Sequence, residues 1–147
     1  MFNGCSSLLS LPDISKWDIS KVGSICNIFK DCKLLVFLPD LSKWNTSNII
    51  DMSKAFYCCK SLTLLSDISL WNTNNVMFMD LMFYGCSSLL YLSDISKWDT
   101  SNVINVCNMF CGCNSLMKFP KLSKWDITNI DDMDTICDEC LKKSFDL

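Results

Sequence analysis

The chain contains no histidine among its 147 residues. That removes the side chain that titrates near neutral pH, and with it the usual general bases, the nucleophile–histidine pairs and many catalytic metal sites. Long apolar runs are missing as well. The longest stretches, such as residues 34–38 and 81–84, fall far short of the roughly 20 residues that cross a bilayer as a helix, so membrane insertion is not expected. There is no basic run with interleaved aromatics, and the formal net charge is −3. A nucleic-acid partner therefore has no electrostatic footprint. Residues 1–13 show no basic start followed by an apolar run, so no signal peptide is expected within them. The opening MFNGCSSL stands in mid-repeat, which suggests a fragment of a longer protein. An uncapped first repeat of this kind would also allow end-to-end association.

What is present is periodic. Trp17, Trp44, Trp71, Trp98 and Trp125 follow one another at 27 residues. Phe2, Phe29, Phe56, Phe83 and Phe110 keep the same interval, and so do Cys5, Cys32, Cys59, Cys86, Cys113 and Cys140. A fixed period held by several residue types at once is the signature of a solenoid. One domain over residues 1–147 is expected, built by stacking about five repeats with one tryptophan each. After Asp131 the pattern decays: Cys137 replaces phenylalanine, Glu139 glycine and Lys143 leucine. A more polar last repeat is what a cap requires, so residues 135–147 are expected to form a weak C-terminal cap.

Within a repeat, Val76, Met79, Met82 and Phe83 are apolar at the spacing of one helical face, as are Val22, Ile25, Ile28 and Phe29. This predicts a helix of eight or nine residues in each copy, too short to persist without packing. Gly4, Gly85 and Gly112 follow it and suit a left-handed helix C-cap. Asp31, Cys58 and Glu139 stand in their place elsewhere, so those copies are expected to be less regular. The apolar positions after Leu89 predict a short strand over residues 90–94, stacked on its equivalents. Pro12, Pro39 and Pro120 would keep that strand short, because proline lacks the ladder donor. The turns after each tryptophan (Asp18-Ile-Ser, Asn45-Thr-Ser, Asn72-Thr-Asn, Asp99-Thr-Ser, Asp126-Ile-Thr) close themselves through the Asp or Asn side chain. The expected fold is an α/β repeat solenoid, each 27-residue repeat holding a short strand and a short helix, with a parallel sheet on one face.

The motifs M-F-x-G-C-S-S-L and L-S-x-W-D-T-S-N-V, clearest over residues 83–89 and 98–103, resemble the repeat of BspA-like leucine-rich-repeat surface proteins, common in bacterial and mycoplasma lipoproteins. The resemblance covers residues 1 to about 134 and implies a leucine-rich-repeat-like fold, a protein-interaction or adhesion role and a place at the cell surface. Two departures stand against it. The LPDIS form at residues 11–15 lengthens the segment before the tryptophan, and the lipoprotein cysteine is missing.

Several groups invite a chemical reading. Eleven cysteines suggest disulfides in a small secreted chain, but six share one register, which fits small buried side chains in a reducing compartment. Cys111, Cys113, Cys137 and Cys140 have a zinc-like spacing, yet three of them fall in inward registers. Asp13, Asp40, Asp67 and Asp94 share a register that could attract cations, but Lys16, Lys43 and Lys97 neutralise it and Lys121 interrupts it. No catalytic, cofactor or metal site is expected, and no enzyme. The Asn45-Thr-Ser acceptor is one form of the repeated turn.

One register does not repeat in character: Ser10, Phe37, Leu64, Tyr91 and Lys118. An exposed row of apolar residues marks a contact surface, so Phe37, Leu64, Tyr91 and Lys118 are the candidate partner-binding residues, with packing inward or under a flanking segment as the alternative. The function expected is a non-catalytic protein-interaction or adhesion module. A structural piece of a longer surface protein is the second possibility. The cysteine reading predicts eleven reactive thiols when the unreduced chain is denatured and titrated; a shortfall in pairs would reveal disulfides.

Overall fold

The computed structural model describes residues 1–126 and 128–130, so the expected cap over 135–147 lies outside the described residues. Each rung of the fold is assembled from tight turns. In the first complete copy, the Ile28 amide donates to the Ile25 carbonyl and the Cys32 amide to the Phe29 carbonyl, both at 3.1 Å. The third residue of each turn has positive φ, 57° at Asn27 and 59° at Asp31, while the second does not. A four-residue turn with positive φ at its third position alone is type II. The same pair of turns recurs with Lys54 and Cys58, Leu81 and Gly85, and Asn108 and Gly112 at the positive-φ positions.

No helix occurs among the described residues, which overturns the expected short helix in each repeat. The physical reason lies in the spacing. Two four-residue turns laid end to end bury their ends at i, i+3, i+4 and i+7 (here Ile25, Ile28, Phe29 and Cys32), all of them in the core. That is also the spacing of one helical face. The amides tell the two apart. Those of Ile25, Asn27, Phe29 and Asp31 reach out of the rung to the carbonyls of Asp51, Ser53, Ala55 and Tyr57, 26 residues on, at 2.8–3.1 Å.

The expected sheet is corrected as well. Among the described residues it is reduced to five isolated parallel bridges in two lines, Ser24–Asp51–Phe78–Asn105 and Phe37–Leu64–Tyr91. Across residues 36–40 the Thr63 amide donates to the Val36 carbonyl at 3.0 Å, Pro39 has no amide to donate, and the Leu41 amide goes to the Ser66 hydroxyl instead of a main-chain carbonyl, so no continuous ladder forms. The α/β architecture with a strand and a helix in every repeat is therefore replaced by a stack of turn-built rungs. The copies carrying Asp31 and Cys58 are not less regular either. Their φ angles of 59° and 55° match the conformation that Gly4, Gly85 and Gly112 adopt.

The core is a set of ladders. Phe2, Phe29, Phe56, Phe83 and Phe110 stack with centroids 5.3–5.7 Å apart and planes within 17° of parallel, an offset arrangement that aromatic quadrupoles favour. Trp44, Trp71, Trp98 and Trp125 stack at 6.3–6.4 Å. Each of those four tryptophans also donates its Nε1–H to a carbonyl of the rung before, at Ile14, Leu41, Ile68 and Ile95, over 3.0–3.1 Å. Buried Thr46, Thr73 and Thr100 bond the rung after, at the carbonyls of Asn72, Asp99 and Asp126. Polar groups so enclosed must be paired, and here the pairing itself joins the rungs.

Gly85 tests the turn geometry. Its φ is +69°, and an added Cβ would stand 3.1 Å from the Cys58 sulfur. Gly85→Ala is expected to destabilise the fold by about 1–2 kcal/mol, the cost of a left-handed conformation for an L-residue, measured as a lower urea midpoint with unchanged slope.

Candidate interaction surface

The turns that end at Leu35, Leu62, Leu89 and Leu116 bury those leucines. The chain then turns its next two side chains outward. Phe37, Leu64 and Tyr91 lie on consecutive rungs, joined by the second line of bridges, and are 55%, 53% and 53% exposed. They do not pack inward. Lys118 continues the register on the next rung and is exposed, but is not bridged to Tyr91.

The neighbouring register is exposed as well, at Leu9, Val36, Leu90 and Met117. The sequence held a signal for it. That register admits Thr63, whereas the buried one beside it is leucine at 35, 62, 89 and 116. Together the two registers make a continuous apolar band across the rungs, the kind of patch that marks a contact surface.

At its Lys118 end the band meets an open groove of about 380 Å³ between the fourth and fifth rungs. Tyr91, Ser93, Asp94 and Ser96 form one wall; Lys118, Phe119, Pro120, Lys121 and Lys124 form the other. On the third and fourth rungs a serine hydroxyl ties this segment to the rung before: Ser66 accepts from the Leu41 amide at 2.8 Å and Ser93 from the Ile68 amide at 3.1 Å. Pro120 occupies the corresponding position on the fifth rung and offers no hydroxyl.

The other groups singled out in the sequence are engaged structurally. Asp13, Asp40, Asp67 and Asp94 each accept the amide of the serine two residues on, at 2.9–3.0 Å. Hydrogen bonds from that serine, hydroxyl and amide, hold their carboxyls below the usual range. Lys16 and Lys43 add to the effect at Asp13, as Lys97 and Lys124 do at Asp94. Asn45 closes its own turn by accepting from Ser47. The ladder thiols of Cys32, Cys59, Cys86 and Cys113 donate to the carbonyls of Phe2, Phe29, Phe56 and Phe83 at 3.0–3.2 Å. Burial pushes the Cys32 thiol up to about 11 and raises Cys59 and Cys86 as well. Since the thiolate is the reactive form, these sulfurs are chemically quiet. Of the zinc-like set, Cys113 is in the core and Cys111 half-buried, while Cys137 and Cys140 lie outside the described residues.

The sequence matches the family described as "Mycoplasma protein of unknown function, DUF285" over residues 1–91 and again over 63–146. No curated protein matches it. Among solved structures, a leucine-rich repeat protein from Bacteroides ovatus is 14% identical with a TM-score of 0.22, the alignment covering 84% of this chain and 45% of that one. The chain thus spans less than half the length of that protein.

The aspartate turns predict a pH dependence. A carboxyl whose folded pKa lies below its unfolded value of 3.8 contributes stability that is present above that value and lost as pH falls through the folded one. The urea midpoint should therefore drop on acidification below about pH 4. Ser101→Ala removes a hydroxyl 2.6 Å from Asp99 and should make the drop shallower.

Proposed function

The chain belongs to the DUF285 family of mycoplasma proteins of unknown function, and from that premise we propose that it is a non-catalytic protein-binding module whose partner lies along Phe37, Leu64 and Tyr91 and reaches Lys118. The observation that carries this reading is the exposure of three large apolar side chains on consecutive rungs, at the only bridged positions of that segment. Covering them would release about 25 cal/mol for each Å² of apolar surface withdrawn from water. The partner is a protein because the strip is apolar and broad, rimmed by serines and lysines, which is the anatomy of a protein contact. The resemblance of the repeat to BspA-like leucine-rich-repeat surface proteins supports the same role and a place at a cell surface.

A non-catalytic role fits the lack of histidine and the use of the aspartate row in closing turns. A second reading, a structural array within a longer surface protein, is favoured by the uniform ladders of Trp, Phe, Cys and Thr, which serve stacking alone. The two separate on the triple variant Phe37→Ser/Leu64→Ser/Tyr91→Ser. Binding predicts an unchanged circular-dichroism spectrum and melting temperature, together with loss of the polypeptide that the immobilised wild-type chain retains from a surface-protein extract. Undiminished retention, or an unfolded variant, contradicts it.

A further inference from the structure

The groove beside Lys118 differs in charge from every earlier rung. One register reads Asp13, Asp40, Asp67, Asp94 and then Lys121; the register three residues on reads Lys16, Lys43, Leu70, Lys97 and Lys124. On the first, second and fourth rungs an aspartate is thus balanced by a lysine. On the fifth, Lys118, Lys121 and Lys124 stand together with no acid among them, facing Asp94 across the groove. The groove walls carry a net charge of +2 on a chain whose net charge is −3. None of the three lysines makes an ion pair among the described residues.

We propose that this groove binds an acidic peptide segment, its carboxylates meeting Lys118, Lys121 and Lys124 and an apolar side chain resting on Tyr91, Phe119 and Pro120. The proposal rests on the binding role given above and names the chemistry of the partner at the Lys118 end of the strip. The groove volume of about 380 Å³ falls within the roughly 300–1,000 Å³ of ligand-binding clefts. Its mixed lining suits a peptide, since the Ser123 hydroxyl stands in the same groove as the apolar side chains of Tyr91, Phe119 and Pro120. A nucleic acid fits less well. The chain contains no arginine, the residue best shaped for phosphate, and Asp94 would repel a continuous backbone of negative charge.

Lys121→Asp provides the test, because the fold already accepts aspartate in that register, followed two residues on by a serine as Ser123 follows here. The probe is a fluorescent glutamate-rich peptide carrying one phenylalanine, titrated into the full chain at low salt. The expected result is saturable binding that K121D weakens about fivefold to tenfold, since one exposed attraction becomes a repulsion. Lys16→Leu, on the first rung and in a register that already holds Leu70, should leave this binding unchanged, and added salt should weaken it. Equal binding by K121D, absence of saturable binding, or tighter binding of single-stranded DNA or polyphosphate than of the peptide would overturn the proposal. If Leu64→Ser loses the peptide while K121D retains it, the groove assignment fails and the strip remains the binding surface. If the triple serine variant keeps its polypeptide partner while K121D loses the peptide, the strip fails and the groove stands.

Discussion

Hydrogen bonding between one rung and the next is the constraint on which the rest of this structure depends. A tight turn satisfies one amide inside its own rung and leaves others facing outward. In an isolated copy those groups would go to water, and nothing would hold the turns in place. Stacking a second copy 26–27 residues on gives them carbonyl partners, as at Phe29 and Ala55. The side-chain ladders follow from this register. Once the main chains are aligned, identical residues lie over one another, so Trp stacks on Trp and Phe on Phe. The indoles, thiols and threonine hydroxyls of the ladders then meet carbonyls of the adjoining rung, as Trp71, Cys59 and Thr46 do.

Much of this was legible in the residues. The 27-residue interval defined the rungs, and the shared registers of Trp, Phe, Cys and Leu identified what lies inside. The Asp-x-Ser turns close themselves as their chemistry requires. The helix was not legible as absent, because tandem turns and a helix bury the same positions, and periodicity carries no record of where an amide donates. The positive-φ register was the clue that periodicity missed. Asn27, Gly85, Asn108 and Gly112 recur four residues from one another's equivalents, and asparagine and glycine at such an interval favour left-handed turn positions over a helix interior.

The candidate surface was half legible. Phe37, Leu64 and Tyr91 stood out because they vary where their neighbours repeat, and the structure leaves them exposed. The adjoining Leu90 and Met117 are exposed too, but they did not stand out, because an apolar residue does not by itself show which side of the rung it faces. The groove could not be seen in any single repeat. It arises from two rungs together, where Pro120 lacks the hydroxyl that Ser93 supplies one rung earlier and Lys121 takes the place of an aspartate. Positions that repeat maintain the stack, and those that break the repeat are free to recognise something.

The most direct measurement of that central claim is the set of hydrogen-bond scalar couplings between amide nitrogens and carbonyl carbons in the labelled protein. The stacked-turn fold predicts couplings from Phe29 to Ala55, from Phe56 to Met82 and from Phe83 to Met109. Couplings from those amides to carbonyls four residues back along the chain would show helices instead, and would contradict it.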